Sequence, residues 1–124
     1  MPIKIRLQRR GKKGVPFYHI VVADSLSSRD GKFIYNLGIY NPLTNTIKIY
    51  IDNAIFWLEK GALPTDTARS LLSKIGVLYK THLRIGIQRN AFDKKEAENS
   101  FEKWIEQNNN VYFNKNLLVF VKEK

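Results

Sequence analysis

The first fifty residues alternate between apolar and polar positions in short runs that turn-forming residues separate. In residues 3–7 the apolar side chains fall on one side and Lys4 and Arg6 on the other, which is the pattern of a half-buried strand. Residues 8–15 are then predicted as a basic turn. Residues 16–23 are apolar on both sides, which indicates a central strand. A polar loop at 24–31 precedes two further predicted strands at 33–40 and 46–51.

After residue 51 the apolar spacing changes to that of a helix. Asp52 is predicted to cap a short helix that ends at Gly61. Thr65 is predicted to cap a second helix, whose apolar residues recur at i, i+3, i+4 and i+7 before Gly76 ends it. Strands followed by helices indicate an α+β fold, with a small mixed or antiparallel sheet of four to five strands and two helices packed on one face.

The last third of the chain is predicted to form a C-terminal extension. Residues 77–90 carry apolar positions whose period does not decide between helix and strand. Asp93 and Glu96 resemble a capping box, which predicts a further helix. The expected organisation is a domain at 1–82 and an extension at 83–124, with a helix at about 93–107 and then a hairpin or an extended tail.

The distribution of charge along the chain indicates a class of function. The chain has 21 Lys and Arg against 11 Asp and Glu, and its pI is about 9.9. The first forty residues contain eight of these basic residues and two acidic ones. A basic surface that alternates with strand-forming residues is typical of proteins that bind a nucleic acid backbone.

The amino-acid composition also excludes several kinds of site and several classes of protein. The chain has 124 residues and no cysteine, which excludes disulfides, thiolate metal sites and cysteine nucleophiles. No apolar run reaches the roughly 18 residues of a membrane helix, and no targeting peptide is evident at the N-terminus. We therefore expect a single domain in the cytoplasm, with an organellar location as the alternative, and no membrane partner, cofactor or small-molecule substrate.

Basic side chains in the strands and turns are the expected contacts to RNA. Two lysines between Gly11 and Gly14 supply charge where glycine lets backbone amides approach phosphates closely. The loop context differs from that of a KH domain, in which a similar motif joins two helices. The predicted RNA-binding residues are Lys4, Arg6, Arg9, Arg10, Lys12, Lys13, His19, Arg29 and Lys32, with Tyr18, Arg69, Lys74, Lys80 and Arg84 as a second tier.

Catalysis has little support in the sequence. His19 and His82 lie far apart and have no partner at ligand spacing, and no catalytic or phosphate-loop motif is present. Asp24 and Asp30 are the only carboxylates in the basic third, and together they leave open a metal-dependent nuclease. Loop aspartates serve more often in turns. We expect neither catalytic nor metal-binding residues, and a free-standing regulator that binds nucleic acid is the other alternative.

Short segments of the first eighty residues, taken in order and spacing, resemble the bacterial-type small-subunit ribosomal protein number sixteen family. They include Arg9 to Gly11, Pro16-Phe-Tyr, Ile20 to Ser25, Arg29-Asp-Gly, Tyr40-Asn-Pro, Trp57-Leu, Gly61-Ala, Thr67, Arg69, Leu71-Leu and Gly76. The resemblance implies a structural protein that binds the 5′ domain of small-subunit ribosomal RNA, supports its assembly and adjoins other small-subunit proteins.

The resemblance also implies roles for individual residues. Arg6, Arg9, Lys12, Lys13 and Arg29 fall in the family's motifs and are expected to contact RNA. Three positions depart from the family's usual residues: His19 stands in place of Arg, Leu26 in place of a basic residue and Ser28 in place of Pro. We therefore expect the loop at 24–31 to contact RNA with less charge than in most of the family.

Overall fold

Seven strands form one mixed sheet in the computed structural model, which describes residues 2–108, 110–114 and 117–121. The strands are β1 (Ile3–Lys12), β2 (Val15–Asp24), β3 (Tyr35–Asn41), β4 (Thr46–Tyr50), β5 (Leu63–Pro64), β6 (Val111–Asn114) and β7 (Leu117–Val121). Their order across the sheet is β5-β1-β2-β3-β4-β7-β6. Neighbouring strands are antiparallel except the short β5, which runs parallel to β1.

Four helices follow the first four strands: α1 (Ile51–Glu59), α2 (Asp66–Ile75), α3 (Val77–Gln88) and α4 (Lys94–Gln107). Two predicted caps are confirmed. Thr65 Oγ1 accepts a hydrogen bond from the Ala68 amide at 3.4 Å, and Asp93 Oδ1 accepts one from the Glu96 amide at 2.8 Å. Because each cap supplies an acceptor for an amide that the helix itself leaves unpaired, these residues determine where α2 and α4 begin.

The α+β class is confirmed, but the predicted number of elements was too small. The sheet has seven strands in place of four to five, and four helices accompany it. The ambiguous segment after Gly76 is helix α3. The basic turn predicted at 8–15 was too long, since β1 continues to Lys12 and only Lys13 and Gly14 connect it to β2. Asp52 lies in the first turn of α1, whose N-cap is Tyr50 without a side-chain bond.

The two faces of the sheet have different roles. Ile5, Ile20 and Ile49 lie on the face that packs against the helices, and all three are fully buried in the main core. Val21 and Val119 lie on the opposite face, which we call the outer face, and are buried outside that core. Strand alternation therefore directs apolar side chains to the helices and leaves the outer face of β1 for polar and basic ones.

The C-terminal hairpin that the sequence left as one of two options is confirmed, and it belongs to the main sheet. Strand β7 pairs with β4 over five residues, with Ile47 opposite Phe120, and β6 forms the edge of the sheet.

The Trp104 ring of α4 packs on Gly76, where an added Cβ would lie 2.6 Å from it. Among the described residues, no helix is long and apolar enough to cross a membrane.

Candidate nucleic-acid interface

A row of polar and basic side chains lies on the outer face of β1. Alternation along the strand places Lys4, Arg6, Gln8 and Arg10 on this face, and the residues between them point toward the helices. Their partners on β2 include His19, which lies opposite Gln8. These five residues form what we call the hairpin face, a surface whose spacing is determined by the pairing of two ten-residue strands.

The tip of the same hairpin carries two exposed lysines, Lys12 and Lys13. Gly11 and Gly14 flank them with φ angles of +91° and +81°, in the left-handed region that favours glycine. At Gly11 an added Cβ would also lie 2.4 Å from the Val15 carbonyl oxygen. Glycine at these positions lets the chain turn tightly, so Lys12 at the end of β1 and Lys13 in the turn are both exposed at the tip of the hairpin.

The loop between β2 and β3 folds back along β1 and is held there by side chains of the hairpin face. Arg6 Nη2 donates to the carbonyl oxygens of Ser27 at 2.8 Å and Ser28 at 2.9 Å. Gln8 Nε2 donates to the Gly31 carbonyl oxygen. Arg6 and Gln8 thus anchor the loop to the strand, and the Arg6 Nη2 atom is already bound to two backbone carbonyl oxygens.

Gln8 is the residue of the site that sequence reasoning missed. It is 1% exposed, and among the described residues it is the only polar or charged one that is buried. Its amide oxygen accepts a hydrogen bond from Arg10 Nη2 at 2.6 Å while its nitrogen binds the loop. A buried amide with both ends paired orients Arg10 on the outer face. The sequence feature that could have indicated Gln8 is its position in the alternating series that begins with Lys4 and Arg6.

Arg29 and Asp30 form an ion pair at the tip of the loop. Arg29 Nη2 lies 2.7 Å from Asp30 Oδ2, and Arg29 Nε donates to Oδ1 at 3.2 Å. Asp30 Oδ1 also accepts the Arg9 amide at 2.9 Å. The hydrogen bond from Arg29, followed by that of the Arg9 amide, lowers the pKa of Asp30, and Asp30 raises the pKa of Arg29.

His19 and Arg9 lie beside this surface in different ways. The His19 Nδ1 atom lies 3.1 Å from Asn36 Nδ2, and its ring lies 5.7 Å from that of Phe17. Burial, and then the positive charge of Arg10, lowers the pKa of His19. The lowered pKa favours the neutral imidazole, which can donate or accept a hydrogen bond. Arg9 points to the other face of the sheet, opposite Tyr18 on β2.

Lys32 of the first tier and four of the second-tier residues lie outside the hairpin face and separate into two groups. Arg69 and Lys74 are exposed on α2, and Lys32 is exposed at the end of the loop. Arg84 is paired with Glu59 at 2.7 Å, and the Lys80 ammonium lies 5.1 Å from the centre of the Phe101 ring. Both of these α3 side chains are engaged within the helical layer, and the structure does not bring them together with the hairpin face.

The two aspartates of the nuclease alternative have local partners. Asp24 Oδ1 accepts the Leu26 amide at 2.9 Å, which is the bond of a turn, and Asp30 is bound to Arg29. Within residues 2–108, 110–114 and 117–121, no group of three or more His, Asp or Glu side chains could hold a metal ion. The geometry therefore gives this alternative no support.

Comparison with known proteins adds a family to this geometry. A family model described as ribosomal protein S16 matches residues 9–65. The small ribosomal subunit protein bS16 of Porphyromonas gingivalis is 55% identical over 107 residues, which cover 85% of this chain and 56% of that protein. The bS16 proteins of Flavobacterium johnsoniae and Azobacteroides pseudotrichonymphae are 49% and 50% identical over 86% and 84% of this chain. The aligned regions span 57% and 64% of those two proteins.

Proposed function

This chain belongs to the ribosomal protein S16 family, and from that premise we propose that it is a structural, non-catalytic constituent of the bacterial small ribosomal subunit. Its partners in this proposal are the 5′ domain of the small-subunit ribosomal RNA, whose folding it supports, and neighbouring small-subunit proteins. Its location is then the bacterial cytoplasm.

The observation that carries the proposal is the hairpin face together with the lysines of its tip. Lys4, Arg10, Lys12 and Lys13 form no ion pair within the described structure, so their charge is available to a partner. Strand pairing and the buried Gln8 hold these groups at set positions, which reduces the conformational entropy lost on binding. A rigid array of unpaired cations is suited to phosphates that lie close together where RNA helices meet.

Individual residues then take different parts. Lys12 and Lys13 reach phosphates beyond the end of the sheet, while Lys4 and Arg10 bind along its outer face. His19 contributes a neutral hydrogen-bonding group suited to a ribose hydroxyl or a base edge. Arg9, Lys32, Arg69 and Lys74 are peripheral contacts. Arg6 contributes mainly by holding the loop in place.

The C-terminal extension at 83–124 adds strands β6 and β7 to the same sheet. We assign this extension to contacts with neighbouring components of the subunit. Residues 83–124 begin within helix α3 and include the β6–β7 hairpin. The hairpin's edge strand carries Tyr112, which is 50% exposed. An exposed aromatic side chain at a sheet edge is suited to a protein or RNA neighbour.

Co-sedimentation tests the proposal against its alternatives. Tagged protein at natural abundance should travel with small ribosomal subunits in a sucrose gradient and remain there at moderate salt. A regulator that binds nucleic acid would stay in the soluble fractions, and that result would overturn the ribosomal assignment. Crosslinking followed by RNA sequencing should then place the hairpin residues on the 5′ domain of the ribosomal RNA.

A nuclease assay tests the catalytic alternative. Highly purified protein with Mg²⁺ should leave a labelled 5′-domain transcript intact over hours. Cleavage that disappears in an Asp30→Ala variant would contradict the non-catalytic assignment, whereas cleavage that persists in this variant would indicate a contaminant.

A further inference from the structure

A cleft of about 490 Å³ opens at the outer edge of β1, beyond the point where β5 ends. Arg29 of the loop at 24–31 lines the cleft, as do Thr65 and Thr67 at the start of α2. Binding sites for small organic ligands typically measure about 300–1,000 Å³. The cleft is therefore large enough for one nucleotide and too small for a double helix.

One side of the cleft is aromatic. Tyr18 and Tyr40 are cross-strand partners on β2 and β3, and their ring centres lie 6.1 Å apart at an interplanar angle of 22°. Leu7 lies beside them on β1. Both rings line the cleft on a pair of hydrogen-bonded strands, and nucleic acid bases stack on aromatic side chains irrespective of sequence.

The other side of the cleft is cationic. Asp30 binds Arg29 through Nε and Nη2, which fixes the plane of the guanidinium and leaves Nη1 free of this carboxylate. Arg6 also lines the cleft, and no acidic side chain of the described residues pairs with it. Its Nε is buried and has no hydrogen-bond partner within the described structure. The Arg29 guanidinium oriented in this way is suited to phosphate, and Thr67 at the start of α2, which also lines the cleft, carries a hydroxyl donor.

We propose that this cleft binds a single unpaired nucleotide of RNA, with its base against Tyr18 and Tyr40 and its phosphate between Arg29 and Thr67. In this arrangement the aromatic rings face the planar base and the Arg29 guanidinium faces the anionic phosphate, so both parts of a nucleotide have complementary partners in one cleft. This assignment rests on the proposed function, because the ribosomal RNA would supply the nucleotide. It adds to the hairpin face a separate site that recognises an unpaired residue.

The test combines protein variants with RNA that lacks single bases. Arg29→Ala and Tyr40→Leu are measured against a 5′-domain transcript in which individual positions are abasic. At one position, base removal should weaken binding of the wild-type protein by about tenfold and should have little further effect on Tyr40→Leu, because the stacking partner is already lost. Ethylation of an adjacent phosphate should likewise lose its effect in Arg29→Ala.

Matched controls separate the site from general effects. Arg89→Ala removes the same charge from an exposed position at the end of α3, and Tyr50→Leu removes an exposed tyrosine from β4. Both controls should show the wild-type pattern of interference. Tyr40→Phe keeps the ring and should bind like the wild type, which guards against a Tyr40→Leu variant that fails to fold. If no position couples to Arg29 or Tyr40, the proposed site is wrong.

A second measurement keeps this proposal distinct from the ribosomal assignment. If the wild-type protein binds no small-subunit RNA, the proposed function fails. The cleft is then tested directly by titrating the protein with 5′-AMP and 5′-UMP while the amide resonances of Leu7 and Thr67 are followed. Saturable shifts that disappear in Arg29→Ala would support a nucleotide site. Equal shifts with sodium phosphate alone would overturn the role of the base, and no shifts with any of these ligands would overturn the site.

Discussion

The two lysines at the tip of the β1–β2 hairpin give the sharpest test of the electrostatic surface. In a Lys12→Ala/Lys13→Ala variant we expect RNA affinity to depend less on salt. Both side chains are exposed and lie in no ion pair of the described structure, so their removal takes two charges from the surface without breaking an internal contact. Surface changes of this kind alter the free energy of unfolding by no more than about 0.5 kcal/mol.

The size of the effect follows from the number of phosphates released. Each neutralised phosphate contributes roughly 0.7–0.9 to the slope of log K against log salt, so the loss of two contacts lowers the slope by about 1.4–1.8. Between 50 and 200 mM salt, the wild-type affinity should fall by about 7- to 12-fold more than that of the variant.

Fluorescence anisotropy of a labelled 5′-domain transcript, measured at five salt concentrations, gives both slopes. The matched control is Lys94→Ala/Lys95→Ala, which removes two exposed lysines from α4 and should keep the wild-type slope. Thermal melts by circular dichroism establish that both variants are folded. Equal slopes for the hairpin variant and the wild type would refute the assignment of phosphate contacts to the tip.

Three further predictions concern stability and pH. Gly38→Ala should destabilise the fold by about 3 kcal/mol or more in urea unfolding, because the new Cβ would lie 2.0 Å from the Lys48 carbonyl oxygen; a loss under 1 kcal/mol would contradict this. Asp93→Ala should cost about 1 kcal/mol in thermal unfolding through the lost cap of α4, and Asp93→Asn should restore most of it. Because hydrogen bonds lower the pKa of Asp30, its contacts should be complete at neutral pH and be lost only as the pH falls below the ordinary aspartate value of about 3.9. The Arg9 amide resonance reports this loss, and a midpoint above that ordinary value would contradict the prediction.

Local patterns in the sequence predicted the elements whose determinants lie close together along the chain. The alternation at the start of β1, the cap at Thr65 and the cap at Asp93 each depend on residues within a few positions of one another, and the structure confirms all three. The sheet could not be counted in the same way. The addition of β7 to β4 depends on residues about seventy positions apart, and no local pattern reports such a pairing.

In the candidate site, too, features that depend on neighbouring residues could be predicted and features that depend on distant residues could not. The basic residues of the hairpin were recognisable from charge and alternation, but the functions of Arg6 and Gln8 in holding the loop were not. Both bind backbone carbonyls that lie more than twenty residues further along the chain. Arg9 and Arg10 are adjacent in sequence, and only the extension of β1 to Lys12 places them on opposite faces. Charge therefore indicated which residues carry the surface, while register decided where each one points.

The pairing of β4 with β7 has a consequence for synthesis on the ribosome. Ile47 can meet Phe120 only after about seventy further residues have been added, which takes roughly 4–14 s at 5–20 residues per second. Until then β4, which reads Thr46–Tyr50 and is rich in β-branched residues, has no neighbour on one side. Such an edge can pair with other chains. The nascent protein thus presents a complete β1–β2 hairpin early and an unprotected strand for several seconds, so early capture by its partner or by a chaperone would shorten the period of aggregation risk.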